Sequence, residues 1–363
     1  MAKFAARRLA PLLYPVAAIW VTLVLFGLWR VEKHDTIFVS IGAYRDKECA
    51  ATLLDMFRQA HRPDLVFVGA VTYTIPHNAT AEERCMSPEL VPYEKNIRRL
   101  HLNNSEGKGP NLSRYHGATM YGGQKYLMQI DSHMKFAPGW DAELLRMIKA
   151  TPSRKAVLTH YPATWETLNE TRVPVMCMAT WLPEGIIMFK AALVDPPKLN
   201  SFRPVPFVAG GFMFVPAWVM RDVPFDPTLQ FLFHGDEELY SARLWTHGWE
   251  LYTPDRNVIF HHYGRENAPK FWNDFGSNEA YHKTKADNVK KVVSLMNGKY
   301  DPAYRYGMGR QRTVQQWWQY AGMDPSNHTL VPDGSKFCWN KNYVYGPRVP
   351  DAALPSWWGH WLS

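Results

Sequence analysis

Apolar residues along the chain fall into a few continuous runs and a few periodic ones. Thr36 to Ile41 ("TIFVSI") and Leu65 to Val71 ("LVFVGAV") are continuous β-branched stretches. Between them Leu53, Leu54, Phe57 and Ala60 recur at helical spacing, and the segment stops before Pro63. Strand, helix and strand that are apolar on all sides predict a parallel sheet covered by helices, because a strand without a polar face must be buried on both. Tyr126 to Ile130 predicts another strand of that sheet. Asp141, after Gly139 and Trp140, is placed to N-cap a helix whose Leu144, Leu145 and Ile148 face inward. Beyond residue 150 the strands are shorter and prolines more frequent, as in "KAVLTHYPA", "VPVMCMATW" and "PFVAGGFMFVPAW". A helix is predicted from about Asp236 to His247, with Gly248 as its stop, and "NVIFHHYGR" reads as a strand. No repeat, low-complexity tract or long linker interrupts residues 36–363, which read as one α/β domain. The tail tryptophans Trp317, Trp318, Trp357, Trp358 and Trp361 are expected to pack back on it.

The first residues differ from this pattern. Pro11 to Trp29 is an uncharged run of 19 residues, close to the length that crosses a bilayer as a helix. Lys3, Arg7 and Arg8 precede it and a mixed segment, Arg30 to Asp35, follows. That asymmetry predicts a cytoplasmic N-terminus (1–10), a signal anchor (11–29), a short stem (30–35) and a lumenal body in the Golgi or endoplasmic reticulum membrane. A cleaved signal peptide is the alternative, but the run is longer than its apolar core usually is and no small-x-small site precedes Arg30. A lumenal body makes Asn78, Asn103, Asn111, Asn169 and Asn327 candidate glycosylation acceptors, since each begins an Asn-x-Ser/Thr sequence. Cys49, Cys85, Cys177 and Cys338 are widely spaced without a CxxC, which fits two disulfides or buried thiols better than zinc.

Composition narrows the function only a little. With 46% hydrophobic and 14% aromatic residues the chain is globular. Its formal charge of +8 is scattered along the length rather than gathered in a stripe or a recognisable module, which argues against a nucleic-acid partner.

Polar clusters at the ends of apolar strands are more informative. Asp131-Ser132-His133 closes the Tyr126–Ile130 run, at the sheet edge where α/β proteins collect ligands. Residues two apart on an extended chain point to one side, so both side chains can address one ion. Two further clusters are His234 to Glu238 and His261-His262. A carboxylate with one or two imidazoles suits Mn²⁺, with Mg²⁺ as the alternative, and such an ion can hold and neutralise a diphosphate leaving group. The acids Asp236 and Glu237, at a predicted helix start, are candidates to bind sugar hydroxyls or to act in catalysis; helix capping is the other reading.

Several segments together carry a family resemblance: "FVSIGAYRDKECAATLLDMFRQAHRPDLVFVG", "GKGPNLSR", "YLMQIDSHMKFAPGWDAELL", "FVAGGFMFV", "FHGDEELYSARLWTHGWELYTP", "VIFHHYGR" and "YGMGRQRTVQQW". They resemble, in order from about residue 36 to 325, the polypeptide α-N-acetylglucosaminyltransferases of glycosyltransferase family 60. The resemblance implies a GT-A fold with a Rossmann-like mixed sheet, UDP-GlcNAc as donor, a divalent metal, and hexosyl transfer to a protein hydroxyl with retention. It assigns Asp131 and His133 to the metal, with His261 as third ligand and His262 as its rival. Tyr44, Arg45 and Asp46 resemble the loop that meets the uridine, and Arg114 would approach the diphosphate. Gly210 and Gly211 would let backbone come close to the sugar, and Asp236 with Glu237 resembles the acidic segment that grips the donor hexose. "GDEE" is less typical than "GEE", so the role of each acid stays open among Asp236, Glu237 and Glu238. The family's soluble members modify a hydroxyproline; an anchored chain directs expectation to Ser and Thr of secreted or membrane glycoproteins. Two other classes stay open at this point, a metal-dependent phosphoester hydrolase and a non-catalytic sugar-binding membrane protein.

Overall fold

The computed structural model describes residues 34–330 and 336–339. The expected N-terminal segment 1–10, the anchor 11–29 and most of the stem lie outside the described residues, as do Trp357, Trp358 and Trp361. Among the described residues, no helix is long and apolar enough to cross a membrane.

The described residues from Thr36 onward form one compact unit. Strand β1 (Ile37–Tyr44), helix α1 (Cys49–Gln59) and β2 (Val66–Thr74) are the expected first unit, each strand running up to three residues further than the apolar run alone indicates. β3 (Ile97–Asn103) follows, then α2 (Pro110–Thr119), β4 (Tyr126–Asp131), β5 (Met134–Phe136), α3 (Trp140–Ala150), β6 (Ala156–Thr159) and β7 (Ala163–Thr164). The hairpin β8 (Val173–Trp181) and β9 (Ile187–Val194) precedes β10 (Arg203–Pro204) and β11 (Phe212–Pro216). The unit continues with α4 (Asp236–Thr246), β12 (Glu250–Thr253), β13 (Ile259–His261), α5 (Glu279–Met296) and α6 (Val314–Ala321). The main sheet has eight strands in the order β10-β12-β6-β11-β4-β1-β2-β3. β1 is parallel to β2 and β4, whereas β11 runs antiparallel between β4 and β6, so the sheet is mixed.

Strand alternation explains why both faces are apolar. Ile37, Val39 and Ile41 of β1 pack with Leu53, Met56 and Phe57 of α1 and with Trp140 and Leu144 of α3. Phe38 points the other way, into a cluster with Leu127, Met213, Leu244 and Trp249. Each fully buried Leu or Phe there contributes about 1.5–3 kcal/mol. Trp317 and Trp318 of α6 are buried, as expected of the tail. The cysteines form two disulfides, Cys49–Cys85 and Cys177–Cys338.

Two expectations are corrected by burial. Asp141 does not cap its helix: Gly139 is the N-cap, and the buried Asp141 carboxylate accepts the His61 and Arg62 amides at 2.7 and 2.8 Å. The loop leaving α1 has two amides to satisfy, and a carboxylate on the first turn of α3 lies within their reach. Asn111 is 3% exposed and its amide donates to Asp236, so that sequence cannot receive a glycan in the folded chain. Asn78, Asn169 and Asn327 are exposed, whereas Asn103 is half-buried and caps the turn that follows β3.

Glu238 illustrates the cost of a buried acid. It is 1% exposed, its Oε2 accepts the Ile187 amide at 2.8 Å, and Oε1 has no partner. Burial pushes its carboxyl up to about 8, against the lowering effect of the Ile187 hydrogen bond. The folded chain therefore keeps a proton that the unfolded chain releases from about pH 4.5. The resulting stability is complete below that pH and is lost as pH rises through about 8. Glu238→Gln is expected to flatten the fall in urea midpoint between pH 5 and 8.5 relative to the parent protein; equal slopes would show that Glu238 is ionised throughout.

Candidate active site

The turn that ends β4 is held against β13. His261 pairs with Met134 in antiparallel register, and the His262 amide donates to the His133 carbonyl at 3.1 Å. That register brings His261 to the side of the turn where Asp131 and His133 point. One donor atom from each of Asp131, His133 and His261 lies within 4.8 Å of the others, with His261 Nε2 at 3.3 Å from Asp131 Oδ2. The adjacent His262, just past the end of β13, also lines the cavity beside these residues but directs its ring nitrogen elsewhere. Its Nδ1 meets Glu48 at 2.9 Å and its ring stacks on Trp165 at 4.1 Å.

The donor set fits a divalent transition ion in its chemistry. One carboxylate oxygen and two imidazole nitrogens can share an ion. Asp46 lies beneath the set: His133 Nδ1 is 2.8 Å from its Oδ2, while Ser132 Oγ and the Glu48 amide donate to the same carboxylate. A carboxylate on one imidazole nitrogen fixes the tautomer and leaves the other lone pair for a metal. Burial alone would raise the Asp46 carboxyl, but the bonds and charges of His133 and Arg265, with the Ser132 hydroxyl, hold it below the usual range. Asp131 behaves likewise: burial is outweighed by the His261 hydrogen bond and by His133, His261 and Arg114, which hold it well below the ordinary carboxylate value.

These groups line one end of a cavity of about 450 Å³. Its other walls include Gly42, Ala43, Tyr44, Tyr73, Gly107 and Ser113, with the 262–275 segment passing alongside. Tyr73 and Ser113 are 2% and 8% exposed, and their hydroxyl oxygens are shielded from solvent beside one another. Burial pushes the Tyr73 phenol up to about 12, with the neighbouring Ser113 hydroxyl counteracting only in part.

A family model described as glycosyltransferase (GlcNAc) matches residues 36–92 and 72–327. The chain belongs to this glycosyltransferase family. No curated protein sequence matches it. Among solved structures, GalNAc-T7 with UDP, GalNAc and Mn²⁺ is 16% identical with a TM-score of 0.52, over 82% of this chain and 55% of that one. The shared feature is the GT-A fold, and the chain spans about half the length of GalNAc-T7. S. aureus TarS 1–349 with UDP-GlcNAc is 11% identical with a TM-score of 0.43, covering 78% of this chain and 70% of that one.

The chain places its other expected site residues in two groups. Tyr44 lines the cavity, and its hydroxyl donates to Asp274 at 2.6 Å; Arg45 and Asn104 bond the same carboxylate at 2.9 and 2.8 Å. This cluster ties the 262–275 segment to the end of β1. Arg114, Gly210 and Glu237 instead line a small separate cavity. Arg114 is paired with the buried Asp236, which also accepts from Asn111 at 2.6 Å. Glu237 accepts the Tyr161 hydroxyl and the Gly210 amide, both at 2.6 Å. Burial pushes the Glu237 carboxyl up to about 7, although both of those hydrogen bonds lower it.

Gly210 and Gly211 join the two groups. A Cβ on Gly211 would stand 2.8 Å from Asp131 Oδ2, and one on Gly210 would collide with the Arg114 guanidinium. A side chain at either position would have to displace Arg114 or Asp131. Tyr73, Ser113, Arg265 and Asp274 were not singled out in the sequence. Tyr73 sits at the ligand-facing end of parallel β2, so the rule that located Asp131 on β4 also applies to it. Arg265 and Asp274 lie in irregular or short helical chain where no periodic pattern points to them.

Proposed function

We propose that the chain transfers N-acetylglucosamine from UDP-GlcNAc to a protein hydroxyl with retention at the anomeric carbon. The observation that carries this reading is the convergence of Asp131, His133 and His261 at the wall of the large cavity. Membership of the GlcNAc family and a fold shared with GalNAc-T7, whose structure holds UDP, GalNAc and Mn²⁺, support it. Those three residues would hold Mn²⁺ or Mg²⁺, which would supply positive charge for the diphosphate leaving group.

The chain's own residues supply the rest. Gly42, Ala43 and Tyr44 at the end of β1 and Gly107 line the cavity wall where the uridine would lie. Arg265, on the 262–275 segment, lines the same cavity and would add charge where the diphosphate would lie, while the Lys270 ammonium holds the Arg265, Glu266 and Ala268 carbonyls of that segment. Both Glu237 oxygens accept hydrogen bonds, from Tyr161 and the Gly210 amide, which hold its side chain in place beside Gly210. Retention by a same-face displacement follows from the family resemblance and not from these residues. The bond from the anomeric carbon to the diphosphate oxygen breaks, the bond to the acceptor oxygen forms, and the acceptor proton passes to the departing UDP.

The reading extends to location. Residues 11–29 are proposed as a signal anchor and residues 36–363 as a lumenal catalytic domain in the Golgi or endoplasmic reticulum, with Ser and Thr of secreted or membrane proteins as acceptors. Threonine-rich peptides incubated with the full chain, UDP-GlcNAc and Mn²⁺ are expected to gain an α-linked N-acetylhexosamine, read by mass and by the anomeric coupling in NMR. A β-linkage, or transfer confined to hydroxyproline peptides, would contradict the proposed chemistry or acceptor.

A further inference from the structure

Arg265 stands against the nitrogen that His133 needs for a metal. With His133 Nδ1 directed at Asp46, Nε2 carries the ring's single lone pair, and Arg265 Nη1 donates to it at 3.1 Å. Nη2 of the same guanidinium lies 2.9 Å from Asp46 Oδ2, and Nε lies 3.7 Å from Glu48. One lone pair cannot serve a guanidinium and an ion together. A divalent cation between Asp131, His133 and His261 would also sit beside a fixed positive charge.

Arg265 has somewhere else to go. It belongs to the chain between β13 and the Phe271–Phe275 helix, is 15% exposed, and lines the large cavity together with Lys270. A guanidinium matches a diphosphate in a forked, bidentate geometry.

We propose that Arg265 is a built-in counter-cation that masks His133 until a nucleoside diphosphate draws it away, so that metal and nucleotide bind as a coupled pair. The inference rests on reading Asp131, His133 and His261 as the metal site. Binding of either ligand then removes part of the cost of binding the other, and the coupling must be equal in both directions.

The test reads metal binding directly, without turnover. Full chain is titrated with Mn²⁺ alone and with Mn²⁺ plus UDP, and free Mn²⁺ is followed by its EPR signal. Without UDP, R265M and R265Q are expected to bind Mn²⁺ roughly tenfold more tightly than the parent protein, while R265K, which keeps the charge, stays weak. UDP should tighten Mn²⁺ binding in both proteins, through the direct attraction of ion and diphosphate, but by about tenfold more in the parent than in R265M. A merely structural arginine would weaken metal binding when removed. Equal or weaker Mn²⁺ affinity of R265M without UDP overturns the masking role. Mn²⁺ binding that is absent, or unchanged by D131A, overturns the metal site and this inference with it.

Discussion

Asp131→Ala is expected to lower UDP-GlcNAc turnover by about a thousandfold or more, equivalent to about 4 kcal/mol of lost transition-state stabilisation, while the chain still folds. The carboxylate ends β4 beside His261, is about one-third exposed, and contributes nothing to the apolar core, so its loss removes a metal ligand and the partner of His261 without opening a cavity in that core. His261→Ala should behave similarly. His262→Ala should keep most activity, because its imidazole is turned toward Glu48 and Trp165. Release of UDP measured beside a thermal melt separates the two effects. Full activity of D131A would remove it from the site, and an inactive H262A beside an active H261A would shift the ligand by one residue.

Arg114→Met should lower stability by about 3–5 kcal/mol, because the partner carboxylate is left buried and unpaired. The side chains of Arg114 and Asp236 are 12% and 4% exposed, and Asn111 is the other hydrogen-bond donor to that carboxylate. Burial disfavours the Arg114 charge, yet Asp236, Asp131 and Glu237 together raise its pKa above the ordinary value. Removing both charges in R114M/D236L should regain much of the loss, since an apolar pair of similar volume suits that site. Urea unfolding of the two variants measures the difference. A loss below about 1 kcal/mol in R114M would mean that water reaches Asp236.

The parts of the fold that were legible are those written in long periodic or continuous runs. β1, α1, β2, β4 and α4 each follow from a stretch whose spacing admits one reading. The three-stranded β5-β13-β7 sheet was not legible as a sheet, because strands of two or three residues are too short to carry a period. It is nevertheless the element that decides the metal site: the pairing of His261 with Met134 separates His261 from His262, a one-residue question that sequence alone left open. Asp141 and Asn111 were misread for a related reason. Each has a local role that its neighbours in sequence suggest, and each is claimed by a partner far along the chain. The pairing of Cys49 with Cys85 and of Cys177 with Cys338 likewise depends on which loops the sheet order brings together.

The most direct measurement is nucleoside diphosphate release by the full chain from a panel of nucleotide sugars, with Mn²⁺ and with chelator. Release from UDP-GlcNAc that requires the metal and increases with a protein or peptide acceptor is the expected result. Efficient turnover of only UDP-galactose or GDP-mannose, or release from UDP-GlcNAc that is indifferent to chelator, would contradict it.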